Sequence, residues 1–382
     1  MTAYGGRGRR LLAAAIAVAA AVGLCLVGQE ASATPAHTRP DTLPARQTVV
    51  NCGGGVQEIF YTPAPGFDPL TATDAELVAN GLPIRPSDAS DASDTSDMTA
   101  WRDMVTGQAR QPGRACVLGK GPATTGGGSV PLGSAGSGTA RPAAPGIRVS
   151  QSVNWAGYVV TSHTYEDVYG YWTIPNVGTD PPSFAAASSQ WIGIGQGGRS
   201  SLPLVQTGTE ADINVGGPGP TYYLWWEVVP NSAYHHIIDL GVTVRNGNRV
   251  YAHVHLSRDD AYLTLDDLTD RAGMTFRFNS GRTTINPDGT AEWIVERTEN
   301  ATFGIFPPLA RSTVTFSTAQ TSGIRLSRRG VGTVPRFAVD MYNCTNPIRE
   351  LAQALGIFGG GTRFEVKWLR YGHADRANSG RC

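Results

Sequence analysis

Two short stretches of this chain carry groups that can move a proton without a metal or a nucleophilic serine. In AEWIVER (Ala291–Arg297), read as a strand, Ala291, Trp293 and Val295 face one way and Glu292, Ile294 and Glu296 the other. Glu296 is then either a solvated edge residue or a functional acid fixed on a rigid element. In PLVQTG (Pro203–Gly208), Leu202, Leu204 and Gln206 share a face, and a polar amide stands where a core-facing strand wants an aliphatic side chain. A Glu and a Gln converging from separate strands in one groove can activate a water and stabilise an oxyanion. The run YYLWWEVVP (Tyr222–Pro230) adds Trp225, Glu227 and Val229 on one face and Leu224, Trp226 and Val228 on the other. Glu227 is a second acid near that groove or a structural hydrogen-bond acceptor. Trp191, in SQWIGIG, is flanked by residues small enough for close approach. Taken singly, each tryptophan reads as core.

Other chemistries find less support. His253 and His255 share one strand face and His235 and His236 lie nearby, but HExxH and CxxC patterns are absent. A metal needs a third ligand of matched geometry. These histidines therefore read as surface or internally satisfied groups, with no metal and no organic cofactor expected. No Asp-Thr/Ser-Gly occurs, no nucleophile elbow lies outside linker-like sequence, and no glycine-rich phosphate loop follows a strand.

The elements that must position these residues are strands. Glycine, proline, serine and threonine are abundant, helical periodicity is scarce, and about a dozen short β-rich runs follow one another from Val153 to Trp368. The expected fold is all-β: an antiparallel, jelly-roll-like sandwich of two stacked sheets, preceded by a small, partly helical N-terminal segment. Asn246-Gly247 and Asp288-Gly289 sit where hairpin turns want positive φ. Ile348–Leu355 reads as a short helix. Charge is balanced, 31 Lys and Arg against 31 Asp and Glu, so composition argues for neither nucleic acid nor membrane surface as a partner.

Four regions follow from composition. Residues 1–33 read as a signal peptide, with Arg7, Arg9 and Arg10 before the apolar run Leu11–Val27 and an Ala31-Ser32-Ala33 cleavage site. The remainder is then a secreted, extracellular protein with no membrane association, expected to be monomeric. Residues 34–118 form a pro-segment or accessory region. Within it, Thr34–Val50 reads as disordered, Ile59–Tyr61 as a strand, Asp74–Ala79 as a helix capped at Thr71 or Thr73, Asp88–Asp97 as a solvated loop and Met98–Val105 as a further helical turn. Its apolar groups, among them Phe60, Phe67, Leu77 and Trp101, are too few for a core and need a surface to bury against. Residues 119–149 are a Gly/Pro/Ser-rich linker and 150–382 the β-sandwich domain. Removing the signal leaves Cys52, Cys116, Cys344 and Cys382, an even number in an exported chain. Pairing within each region, Cys52–Cys116 and Cys344–Cys382, is the simplest of three connectivities.

The blocks SVNWAGYVV (Ser152–Val160), SQWIGIG, LVQTGTE, WWEVVP and AEWIVE resemble, in order and approximate spacing, the glutamic peptidases or eqolisins. The resemblance covers most of Ser150–Gly372 and rests on five blocks in series. It implies a β-sandwich endopeptidase working on protein or peptide substrates at acidic pH through a Gln/Glu dyad. The family's catalytic glutamine falls on Gln206 and its catalytic glutamate on Glu296. The supporting, substrate-side tryptophans and acid fall on Trp191, Trp225 and Glu227. The chain departs from the fungal pattern at Val229, where a tyrosine is common, and in its cysteine positions. Two other readings stand beside this one. One is a carbohydrate- or peptide-binding module stacking ligands on Trp191, Trp225 and Trp226. The other is a glycoside hydrolase using Glu227 and Glu296, whose carboxyl groups must then stand about 5–9.5 Å apart. Gln206 separates them, since the peptidase reading alone gives that amide a task.

Overall fold

β-Branched and aromatic runs with period-two alternation become strands here, because each buries one face and pairs its backbone on both edges. The computed structural model describes residues 45–87, 92–107, 111–112, 118–119, 147–178, 185–195, 203–213, 219–229, 235–238, 243–257, 260–279, 289–298, 305–306, 308–343 and 348–376. The chain opens with β1 (Arg46–Gly53), β2 (Val56–Thr62), α1 (Asp74–Ala79), α2 (Ala92–Thr106), β3 (Gln111–Pro112) and β4 (Leu118–Gly119). Then come β5 (Arg148–Ser152), β6 (Trp155–Val160), β7 (Tyr165–Thr173), β8 (Ala186–Gly195), β9 (Leu204–Ile213), β10 (Pro220–Val229), β11 (His235–Ile238) and β12 (Arg249–Leu256). The remainder are β13 (Asp260–Asp267), β14 (Ala272–Asn279), β15 (Thr290–Glu296), β16 (Ile305–Phe306), β17 (Val314–Gly323), β18 (Leu326–Gly330), β19 (Arg336–Asn343), β20 (Arg349–Ala354), β21 (Phe364–Trp368) and β22 (Asp375–Arg376).

Two antiparallel layers result. The first runs β1-β2-β14-β13-β12-β7-β17-β18. The second runs β11-β10-β9-β8-β15-β6-β19, continuing through β20 and β21 to β17. β17 belongs to both: Val314–Phe316 pair with β21, while Ser317–Gly323 pair with β7 across register shifts. Between the layers lies the main core, including Trp172, Trp226, Trp293, Phe276, Phe278 and Phe316. This is the all-β sandwich that the alternation implies.

The N-terminal segment is built into this sandwich. β2 extends the first layer by pairing with β14. On the outer face of that layer Leu77, Ile84, Trp101 and Met104 pack against Tyr169, Tyr171, Tyr251 and Leu268. α1 begins as its sequence predicts: the Thr73 hydroxyl accepts from Glu76 N–H while Glu76 reaches back to the Thr73 N–H, a capping box. It ends at Asn80, with Gly81 at φ +66°.

Four expectations are corrected. β1 takes up Arg46–Val50, within the stretch read as disordered, because pairing with β2 satisfies its backbone. α2 begins at Ala92 and replaces much of the loop read over Asp88–Asp97. Tertiary burial of Trp101 and Met104 there overrides weak Ser/Asp/Thr helix propensity, and Asp97 is buried against the Arg249 guanidinium at 2.5 Å. Ile348–Leu355 is mostly strand β20, which fills the position between β19 and β21 and buries Leu351 and Ala354. The Asn246-Gly247 turn exists, with Gly247 at φ +84°, but leads into β12, whose partners are β7 and β13. Of the linker region, Gly119 pairs with Ile237, and Arg148 and Val149 already belong to β5. Residues 1–33, read above as a signal peptide, and Asp288, Cys116, Cys344 and Cys382 lie outside the described residues. Cys52 is disulfide-bonded.

Candidate active site

The outer face of the second layer is a grid of side chains fixed by strand register. One rung reads Glu227–Gln206–Gly193–Glu292 across β10, β9, β8 and β15. The next reads Trp225–Gly208–Trp191–Ile294, and the third Tyr223–Glu210–Ser189–Glu296. Alternation puts all three on one face, successive rungs standing roughly 6.7 Å apart along the strands. Two polar rungs thus flank an aromatic one. Gln206, Glu296, Trp191, Trp225 and Glu227 are all brought together here, with Gln206 and Glu296 two strands and two rungs apart on a diagonal.

Glycine makes the grid possible. A Cβ on Gly208 would stand 2.2 Å from the Gln190 carbonyl oxygen and 2.6 Å from Trp191 Cβ, so only glycine fits between the two tryptophans. Gly193 leaves the rung between Gln206 and Glu292 without a side chain.

Glu296 is buried, at 2 % exposure. Asn154 Nδ2 donates to its Oε1 at 2.9 Å and Trp191 Nε1 to its Oε2 at 2.8 Å. Trp155 meets Trp191 edge to face, centroids 5.0 Å apart, which fixes the Trp191 ring. Burial pushes the Glu296 carboxyl up to about 8, with the Glu227 charge adding to the rise; the Trp191 and Asn154 N–H groups oppose it. Gln206 Nε2 donates to Glu227 Oε2 at 2.9 Å, which sets the amide's orientation. Trp225 Nε1 donates to Ser189 Oγ at 3.0 Å, and Ser189 Oγ to the Thr209 carbonyl at 3.0 Å.

The face holds further acids to which the sequence reading gave no role. Burial, with the neighbouring Asp212 and Glu296 charges, raises Glu210 well above the ordinary carboxylate range, while the Thr298 hydroxyl donates to its carboxyl group at 2.8 Å. Burial also raises Glu292 to about 7. The Thr290 hydroxyl donates to its Oε1 at 2.5 Å, and its Oε2 is buried without a hydrogen-bond partner among the described residues. The period-two rule that selects Gln206 also selects Glu210, four residues on. Asn154 lies inside the NWAG block, but its contact with Glu296 spans 142 positions and leaves no local signal. Trp226 faces the main core, fully buried and stacked on Phe278 at 5.8 Å, so it cannot join Trp191 and Trp225 in one stacking platform.

The second layer is thus a β-sheet scaffold that carries buried carboxyls and an amide on one face between tryptophans. Residues 153–334, which span Gln206 and Glu296, match the model of the Peptidase A4 family. Aspergillopepsin-2 of Aspergillus niger is 27 % identical over 168 residues, covering 39 % of this chain and 57 % of that protein's length. Scytalido-glutamic peptidase, solved with a transition-state analogue inhibitor, is similar at 18 % identity and a TM-score of 0.46, covering 57 % of this chain and 98 % of that one. The aspergilloglutamic peptidase of Aspergillus niger gives 22 % identity and a TM-score of 0.38, covering 48 % and 99 %.

Proposed function

We propose that this chain is a secreted endopeptidase in which Glu296 and Gln206 act on a water bound between them. The observation that carries the reading is the environment of Glu296: a buried carboxyl gripped by Trp191 and Asn154, on the sheet face that also presents an amide oriented by Glu227. Ionised Glu296 takes a proton from the water as it attacks the peptide carbonyl, then passes it to the leaving amine. The Gln206 amide donates to the developing oxyanion, an interaction worth roughly 3 kcal/mol when one such donor is lost. The basic, apolar and A-x-A run at the N-terminus supports export.

The base role sets a condition on acidity. With its carboxyl near 8, buried Glu296 is protonated at acidic pH and cannot accept a proton. Entry of solvent into the groove removes the desolvation that raises it, while the two N–H donors continue to favour the charged form. Work at acidic pH therefore belongs to a hydrated groove.

The test is digestion of a denatured protein from pH 2 to 7 with pepstatin present. Wild type should cleave, whereas Glu296→Gln and Gln206→Ala should not, with Glu292→Gln retaining activity as the control on the same strand. Full activity in folded Glu296→Gln would overturn the assignment.

A further inference from the structure

The sequence offers His253-x-His255 without a third ligand, and the fold supplies one. Antiparallel pairing of β12 with β7 sets His255 opposite Asp167 and His253 opposite Tyr169. His253 Nε2 and His255 Nδ1 stand 2.9 and 2.8 Å from the same oxygen, Asp167 Oδ1. Among the described residues, these three offer ligand atoms all within 4.8 Å of one another. We infer that Asp167, His253 and His255 form a binding site for a divalent transition ion of the zinc type.

Three features distinguish this cluster from a chance hydrogen-bonded trio. First, the ligands are oriented from behind. Ser322 Oγ donates to Asp167 Oδ2 at 2.8 Å, leaving Oδ1 to face the imidazoles, and Tyr169 stacks on His253 at 4.3 Å and 17°. Outer contacts of this kind set the direction of metal ligands. Second, two imidazole nitrogens converge on one carboxylate oxygen. At 2.9 and 2.8 Å both nitrogens hydrogen-bond to that oxygen when protonated, and loss of those two protons leaves three lone-pair donors facing one point, as a cation requires. Third, the cluster lines a cleft of about 860 Å³ whose other walls include Tyr251, Tyr262, Thr264 and Thr275. The cleft gives an ion an entry path and room for water at the remaining positions. Two neutral imidazoles and one carboxylate suit zinc, three protein ligands plus water being its open form.

The location separates this site from the peptidase groove. Asp167, Tyr169, Tyr251, His253 and His255 share the outer face of the first layer, while Val168, Ala252 and Val254 beside them point into the main core. The sandwich core therefore stands between the cluster and Glu296. α1 contributes Asp74, Ala75 and Val78 to the same cleft, so the site opens under the N-terminal segment.

The experiment uses the purified full-length protein, stripped with chelator and titrated at pH 7.5 with Zn²⁺ and, separately, Co²⁺. Wild type should retain one zinc per chain after dialysis and give the visible d–d absorption of nitrogen- and oxygen-bound cobalt. His255→Gln and Asp167→Asn, each checked for native circular dichroism, should weaken zinc binding by at least about 100-fold, since loss of a ligand exceeds the 10–100-fold cost of losing an outer contact. Glu296→Gln should bind zinc as wild type does, which separates this outcome from the fate of the peptidase reading. Failure of folded wild type to retain zinc, or equal retention by wild type and both variants, would overturn the site.

Discussion

The indole N–H of Trp191 on β8 donates to Glu296 Oε2 on β15 at 2.8 Å, and each residue lies on the outer face of its strand. The bond strengthens when the carboxyl is ionised, so it biases Glu296 towards the form that a base requires. Trp191→Phe keeps most of the ring and removes the donor. A hydrogen bond to a charged group contributes about 1.5–3 kcal/mol, so activity at a fixed acidic pH should fall roughly 10- to 100-fold. The acid limb of kcat/KM should also move to higher pH, because without the donor Glu296 is harder to ionise. A purely structural role for Trp191 would lower activity with the limb unmoved.

Buried acids on this face make stability depend on pH in a defined direction. Glu292 rises from its ordinary 4.5 to about 7, so the folded chain holds that proton more tightly than the unfolded chain. The stability tied to it is present below about 4.5 and is lost as the pH climbs through 7. Glu296, at about 8, extends the same trend. Urea denaturation should show greater stability at pH 4.5 than at pH 8, with Glu292 contributing at most about 3 kcal/mol. Glu292→Gln should flatten this slope and gain stability at pH 8; an unchanged slope would contradict the burial of that carboxyl.

Gly208→Ala tests the close approach between the tryptophans. Its Cβ meets backbone at 2.2 Å and cannot be accommodated by a rotamer change. Overpacking of this kind costs about 1–3 kcal/mol, and displacement of Trp191 should reduce activity as well. Wild-type stability and activity would show that β8 and β9 yield freely.

Trp101 tests whether the N-terminal segment is structural. It is 1 % exposed, donates from Nε1 to the Pro83 carbonyl at 2.9 Å and has the Arg85 guanidinium 5.0 Å from its ring centre. Trp101→Ala should cost about 3–5 kcal/mol in urea denaturation. A loss below about 1 kcal/mol would mean the segment packs too loosely to count as part of the fold. Mass spectrometry of secreted, active protein addresses maturation: a start between Gly119 and Ser152 marks a pro-segment, and a start near Thr34 with full activity marks an accessory one.

For the cysteines, non-reducing peptide mapping should recover Cys52 linked to Cys116, and Cys344 to Cys382. A Cys52–Cys344 or Cys52–Cys382 peptide would reject that pairing.

What the sequence discloses here is local. Alternation in AEWIVER separates Trp293, which enters the main core between the layers, from Ile294 and Glu296, which lie on the opposite face, because period two is a property of the strand itself. The capping box at Thr73 is legible for the same reason. Asp97 was not, since its partner Arg249 is distant in sequence and composition argued for solvent. β20 carries an Ala- and Leu-rich sequence whose strand state comes from β19 and β21 on either side. The Asp167 ligand to the histidine pair arises from β7–β12 pairing across 86 positions, a separation at which no motif survives.

β17 has a consequence for how the molecule comes apart. Three of its residues pair with β21 in the second layer and five with β7 in the first, with Thr318 at φ +48° within the shifted stretch. At that crossing Ser317 donates to Asp97 Oδ2 at 2.5 Å, and the Thr318 hydroxyl accepts from Ser87 N–H at 3.2 Å. Neither sheet can peel away without tearing the strand it shares. The joint itself is clamped by chain more than 200 positions upstream. The sandwich and its N-terminal segment should therefore melt in one transition, and folding must wait for the strand contacts most distant in sequence, which makes it slow.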